Sequence, residues 1–520
     1  MPFTRLTITA PRRLALAVLA AGLAAWGYLA WLSNVVAFDD AFISFRYAHN
    51  LVAGHGLVFN PGERVEGYTN FLWTLMAAAG IGLGWDPMTV TRALGVAAYL
   101  TAIALGVMAV GARIGRAREF AALALCGLLV LPPTFPAFAG TGLETSFVGL
   151  LVLLTGLGQL LWDRDRAATR WLAGLAPLLA ALPRLDAVIA LAASALVMVV
   201  AERRSWAGLW RRLLPALLPT AVGVGLHLGW RLHYYGEFLP NTYYAKAADL
   251  VSFGLGVEYL FGFVWSCPAS LVLLGLTWFA ARKAGDGRVR AFASYVGIAC
   301  LAQTLFLAKV GGDFMEYRLC WEYWPLLVVG GTLGAVELLR RWWLMPALGI
   351  AATLALGRVP VVIEQQHHMQ SVREMDNIGQ RTRRVGTVLA AVLPADSTIA
   401  TTAAGMAYFA PGLRVVDQLG LNDYTVARMP VPQILSRGHV KQASPAYLAA
   451  RRVNLEFRHP QLSKCSNPRQ QNRAQVFIRL GADDTCVRSF YLTPTPELSR
   501  HFCNHPEWFV LQQIPCPLPD

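Results

Sequence analysis

The sequence predicts a polytopic α-helical membrane protein of about 11 transmembrane helices, with interfacial helices in a first exterior loop and a C-terminal exterior α/β domain. Three observations carry this. Of 520 residues, 55% are hydrophobic and 15% charged, against about 25% charged in soluble domains, and the mean hydropathy is +0.44. The apolar residues gather into long runs. The excess of basic residues, a net charge of +14, sits as arginine in alternate loops, the positive-inside pattern. This composition excludes an ordinary soluble enzyme, a disordered chain and a fibrous protein. Membrane orientation accounts for the basicity, so no nucleic-acid partner is expected.

Arg5, Arg12 and Arg13 precede the apolar run 14–33. It is long for a cleaved signal and ends in Trp and Tyr, which suits an uncleaved anchored helix. The run 71–84 is about two-thirds of a spanning length. If it crossed, Arg113, Arg116 and Arg118 would fall outside; lying flat at the interface, it keeps them inside. Further spans are predicted at 90–112, 119–137, 146–162, 171–182, 187–201, 213–230, 263–281, 291–309, 324–340 and 342–358. The cytoplasmic loops then hold Arg164, Arg166 and Arg170; Arg203, Arg204, Arg211 and Arg212; Arg282, Lys283, Arg288 and Arg290; and Arg340 and Arg341.

An odd number of crossings places the C-terminus outside. Residues 1–358 are thus read as the membrane domain, with its first exterior loop at 34–89, and 359–520 as the exterior domain. A helix is expected at 381–393 and short strands at 397–402 and 413–416, followed by a loop-rich end. Cys465, Cys486, Cys503 and Cys516 crowd into that end, which implies disulfides in an oxidising compartment. Cys126, Cys267 and Cys300 read as small buried hydrophobes. No internal repeat, Walker motif, GxSxG, HExxH or dinucleotide fingerprint stands in a credible context. His367, His368 and His439 read by residue type as surface histidines.

The polar chemistry gathers on the exterior loops. Asp39 and Asp40 stand just past the first membrane helix. One Asp there serves as a helix N-cap; a pair also suits a general base with an orienting or cation-holding partner. A short amphipathic helix follows, with Ser44 and Arg46 off its apolar face. Glu144 enters a helix in T-G-L-E-T, where the dipole favours it. Arg184 and Asp186 in P-R-L-D form either a structural ion pair or an arginine held towards a phosphate. The run Y-Y-G-E-F-L-P-N-T-Y-Y-A-K supplies Asn241, Tyr244 and Lys246, suited to a sugar and an anionic head group beyond a plain aromatic belt. V-G-G-D-F-M-E-Y-R supplies Asp313 and Arg318 beside a glycine pair. Together these features fit a lipid-tailed, phosphate-bearing substrate with its head at the exterior face.

The first loop, D-D-A-F-I-S-F-R-Y-A-H-N-L-V-A-G-H-G-L-V-F-N-P-G-E-R-V-E-G-Y-T-N, closely resembles that of GT-C arabinofuranosyltransferases. This family includes terminal cell-wall enzymes and one that glycosylates type IV pilin. L-P-N-T-Y-Y-A-K, G-G-D-F-M-E-Y-R, V-D-Q-L-G-L-N-D-Y-T-V-A-R and R-G-H-V-K look like the same family. The likeness runs from about residue 35 to 450, and the family's Arg-Pro-Asp is Arg184-Leu185-Asp186 here. The resemblance implies a GT-C fold and an inverting glycosyltransferase of the bacterial cytoplasmic membrane, with its active site and C-terminal domain facing the periplasm. It implies a polyprenyl-phosphate sugar donor, D-arabinofuranose foremost, and a glycan, lipid-linked glycan or pilin-type protein acceptor. By position, Asp39 matches the catalytic carboxylate, with Asp40 beside it. Arg46, Glu66, Glu144, Arg184, Asp186, Asn241, Tyr244, Lys246, Asp313, Arg318 and His439 become substrate- or phosphate-binding candidates. No cofactor is required; a divalent cation at Asp39 and Asp40 is compatible with the pattern. The alternatives are the same chemistry with another lipid-linked sugar, or a transporter or flippase of lipid-linked glycan, for which the sequence shows neither repeats nor ionisable groups at mid-membrane. A membrane scaffold is a further one.

Overall fold

The structure, a computed structural model, describes residues 38–111, 134–161, 167–202, 206–246, 252–339, 369–431, 437–438, 440–466 and 472–516. Its described residues form two compact units. One is drawn from Thr91–Trp230 and Val251–Val372, the other from Val36–Val90, Arg231–Leu250 and Arg373–Asp520.

The first unit is helical. Among the described residues, Pro87–Gly111, Leu185–Glu202, Trp206–Tyr235 and Gly287–Val310 are long and apolar enough to cross a membrane. Large apolar side chains such as Val200, Leu226 and Leu305 are left exposed on them, as lipid contact requires. Thr145–Leu160 and Trp324–Leu339 are shorter apolar helices at predicted positions. Glycines let helices touch backbone to backbone: a Cβ on Gly334 would lie 2.0 Å from the carbonyl oxygen of Leu276.

One predicted span differs. The run 263–281 falls across two helices, Phe253–Ser266 and Ala269–Lys283, bent by 91°. Pro268 explains the break. It lacks an N–H and pushes the residue before it out of the helical region, and Cys267 has φ −134° and ψ 67°. The spans predicted at 14–33 and 342–358, and most of that at 119–137, lie outside the described residues; Thr134–Phe138 is a single short helix.

The second unit is built on a seven-stranded mixed sheet. Its strands are β1 (Thr398–Thr401), β2 (Arg414–Asp417), β3 (Leu455–Arg458), β4 (Leu462–Lys464), β5 (Gln475–Arg479), β6 (Thr485–Tyr491) and β7 (Phe509–Gln512). The order is β2-β1-β3-β6-β5-β7, with β4 also beside β6. β1 runs parallel to β2 and β3, and every other pairing is antiparallel. The helix Val372–Val392 buries Met375, Ile378, Thr382, Val385 and Leu389 at helical spacing and exposes Arg373, Arg381, Arg383 and Arg384. The unit also holds the helices Asp39–Val52 and Phe71–Gly82.

Beyond residue 455, where the sequence predicts loops, the chain forms five strands and the helix Pro496–Asn504. Strands of 3 to 7 residues give too few alternations to stand out. Disulfides join Cys465 to Cys486 and Cys503 to Cys516. The first ties the end of β4 to β6 across 21 residues, a loop length worth about 3 kcal/mol. Replacing both partners by Ser is expected to lower the unfolding midpoint of the sheet accordingly, measured by denaturant titration followed through tryptophan fluorescence.

Candidate functional site

Asp39 opens its helix after Phe38, which is extended at φ −90° and ψ 147°. The carboxylate meets the turn that follows β1. There the Gly405 N–H donates to Asp39 Oδ2 at 3.4 Å. A Cβ on residue 405 would lie 2.3 Å from the Asp39 carbonyl oxygen and 2.6 Å from Oδ1, so the approach demands glycine. Chain order reverses at β1, which has β2 on one side and β3 on the other. The carboxyl ends of parallel strands at such a reversal are where α/β sheets bind ligands.

Asp39 is half-buried, and its Oδ1 is shielded without a hydrogen-bond partner. Burial, then the charge of Asp40, push its pKa up to about 7; Thr382 and the Gly405 N–H counteract this in part, and Asp417 adds to it. Asp417, at the end of β2, is raised by burial to about 6. Its Oδ2 accepts from the Asn422 N–H and Nδ2, each at 2.9 Å. A carboxylate that titrates near neutrality with one oxygen unspent is suited to take a proton from a hydroxyl.

Arg46 lies seven residues on, hence on the same helix face and about 10.5 Å along the axis. Its side chain is buried. Nε donates to the Phe59 carbonyl at 2.9 Å, and neither terminal nitrogen has a hydrogen-bond partner among the described residues. Burial lowers its pKa to about 10.

The other candidates in this unit are engaged in holding its loops. Glu66 Oε2 lies 2.6 Å from Arg231 Nε, and both side chains are buried. Asn241 Nδ2 donates to the carbonyls of Gly420, Leu421 and Asp423 at 2.8, 3.0 and 3.1 Å. Its Oδ1 accepts from Arg428 at 2.9 Å. The Tyr244 hydroxyl donates to Glu237 at 3.3 Å and its ring lies under the Arg428 guanidinium at 4.2 Å. Lys246 caps the short helix Asn241–Ala245, and Asp40 is half-buried beside Asp39. His439 lies outside the described residues.

The first unit carries its own charged cluster. Arg184 forks onto Asp186, Nε to Oδ1 at 2.9 Å and Nη2 to Oδ2 at 2.8 Å. Its Nη1 lies 3.5 Å from Glu322 and 3.8 Å from Glu144. Arg318 sets Nε and Nη2 on Asp313 Oδ2, each at 2.8 Å. The turn before it has left-handed backbone at Gly311, Gly312 and Tyr317, and a Cβ on Gly312 would strike the Tyr259 ring at 2.4 Å. Four carboxylates therefore face two guanidiniums. Removing one partner of a buried pair costs about 3 kcal/mol or more, so Asp186→Asn is expected to lower the melting temperature of the detergent-solubilised protein clearly.

Sequence reading missed Glu322, Thr382 and Gly405. A carboxylate inside C-W-E-Y-W and a threonine in the apolar stripe of Val372–Val392 were the available signals; Gly405 gave none. Among the described residues, no three His, Cys, Asp or Glu side chains are grouped to hold a metal ion.

The fold defines a multi-pass membrane protein that carries a mixed-sheet unit. More particularly, the chain is similar to the terminal β-(1→2)-arabinofuranosyltransferase of Mycobacterium tuberculosis, 29% identical over 349 residues that cover 60% of this chain and 54% of that protein. Its counterpart in Corynebacterium glutamicum is 28% identical over 358 residues, covering 63% and 52%. The chain spans about half the length of these curated relatives. A family model described as a domain of unknown function, DUF8728, matches residues 369–493. Among solved structures, ArnT from Cupriavidus metallidurans bound to undecaprenyl phosphate aligns with a TM-score of 0.45 and 18% identity, over 79% of this chain and 76% of that one. The resemblance to arabinofuranosyltransferases carried by the first-loop motif is thus met by named relatives.

Proposed function

We propose that this chain is an inverting GT-C glycosyltransferase. It transfers D-arabinofuranose from a polyprenyl-phosphate donor to an acceptor hydroxyl at the outer face of the bacterial cytoplasmic membrane. Residues 1–358 form the membrane domain and 359–520 the periplasmic one. The acceptor is a glycan, a lipid-linked glycan or a pilin-type protein. The observation that carries this reading is Asp39, a carboxylate raised to about 7 with an unspent Oδ1, in a chain similar to two arabinofuranosyltransferases.

The acceptor oxygen attacks the anomeric carbon as its proton passes to Asp39 Oδ1. The bond from that carbon to the phosphate oxygen breaks, and its electron pair leaves with the lipid phosphate. A phosphate leaving group needs no acid, only positive charge near its oxygens. Arg46 is a buried guanidinium whose two terminal nitrogens have no hydrogen-bond partner among the described residues. It shares a helix face with Asp39, and base and leaving group in an inverting displacement stand several ångströms apart across the sugar.

The test supplies wild type and Asp39→Asn, in nanodiscs, with synthetic polyprenyl-phosphoryl arabinofuranose and follows released polyprenyl phosphate by mass spectrometry. Release by wild type alone supports the donor and the base. Release only from a hexose donor overturns the arabinose assignment. No release from any lipid-linked sugar by folded protein, with an acceptor panel present, overturns the enzyme reading.

A further inference from the structure

The sheet of the second unit carries a cavity of about 360 Å³ lined by Phe457, Arg458, Gln461, Arg473, Arg488 and Phe490. It falls within the size range of small-ligand sites. Three of its six lining residues are arginines. The acid beside them is Glu456, which is buried and accepts from Gln418 Nε2 at 2.9 Å and from Arg458 Nε at 3.2 Å.

Two of the arginines, Arg458 on β3 and Arg488 on β6, are held in place by the sheet. Pairing of β1 with β3 shifts register at Ala400 and Thr401. Arg458 lies at that irregularity with φ +50°, a left-handed backbone that non-glycine residues seldom adopt. Its carbonyl is fixed by the Thr401 hydroxyl and the Thr402 N–H, each at 3.0 Å. Bulges of this kind re-aim a side chain. Phe490 follows two residues after Arg488 on β6 and so shares its face. The Arg458 and Arg488 guanidiniums stand 5.7 and 5.5 Å from the Phe490 ring. Arg488 also reaches the side-chain oxygen of Gln461. Arg473 is exposed. Aromatic faces orient guanidiniums and leave their N–H edges for planar anions.

We propose that this cavity binds a carboxylate- or phosphate-bearing saccharide, as a docking point for an anionic acceptor glycan apart from the Asp39 chemistry. The anion half of the assignment stands on the arginines. The saccharide half rests on the proposed function.

The experiment titrates the full chain in zwitterionic-lipid nanodiscs with trigalacturonate, neutral maltotriose and inorganic phosphate by calorimetry. Trigalacturonate is expected to bind. Maltotriose and phosphate are expected to bind at least about tenfold more weakly. Arg473→Glu, an exposed change that leaves the fold intact by its melting curve, is expected to weaken trigalacturonate about tenfold; Arg488→Gln is expected to act in the same direction. Asp39→Asn is expected to keep the binding, which separates this site from the fate of the transfer reading. Absent trigalacturonate binding, equal maltotriose binding, or indifference to both arginine changes overturns the proposal. Phosphate binding as tightly as trigalacturonate overturns its saccharide half.

Discussion

Asp39→Asn is expected to lower turnover by about 10² to 10⁴, the usual contribution of a positioned general base, while donor affinity holds. Asn keeps the shape and the acceptance from Gly405 but takes no proton. In wild type the carboxyl titrates at about 7, so the rate should rise with pH through that value and level off above it, and Asp39→Asn should lose that limb. Stability runs the opposite way. A carboxyl that holds its proton to about 7 when folded and to the ordinary 3.8 when unfolded favours the folded state fully below 3.8, and that favour is lost as pH rises through 7. At pH 8 Asp39→Asn should therefore melt no lower than wild type. An inactive variant that melts normally assigns chemistry to Asp39; one that retains turnover removes it from the mechanism. Gly405→Ala tests the same geometry from outside the carboxylate. Its methyl must displace Asp39 from contacts of 2.3 and 2.6 Å, and it should cut turnover without removing any titrating group.

Local pattern decided what was legible in the sequence. Helices rich in apolar residues announced themselves, and Thr145–Leu160 and Gly287–Val310 lie where their runs are. Pro268 was visible as a residue type, but a run of apolar residues on both sides masks a bend of 91°. Asp39 was legible because two adjacent carboxylates after an apolar run are unusual. The long-range groups that tune its pKa were not, since Asp417, which raises it, and Gly405, which lowers it, lie more than 360 positions along the chain. Asn241 and Glu66 stood out as polar residues in exterior loops, and a sequence offers no way to tell a ligand contact from a strut. The structure shows Asn241 bound to three backbone carbonyls and Glu66 on Arg231, as buried polar groups require.

Arg46→Met is expected to separate function from stability most sharply. A buried guanidinium with two unpartnered nitrogens costs the fold free energy, because its charge has left water without compensation. Met fills similar volume without that charge. The Phe59 carbonyl that Arg46 Nε occupies also accepts from Asn50 Nδ2 at 3.0 Å, so it stays satisfied. The melting temperature should therefore hold or rise. If Arg46 neutralises the departing phosphate, turnover should fall by about 10² to 10³, the loss seen when one preorganised donor to a developing anion is removed. Arg46→Lys keeps the charge and loses the fork, so it should recover part of the rate. Steady-state transfer and thermal melting on the same nanodisc samples check both quantities. A fall in melting temperature with turnover per folded molecule unchanged would mean that Arg46 braces the helix Asp39–Val52, and the leaving phosphate would then need another cation.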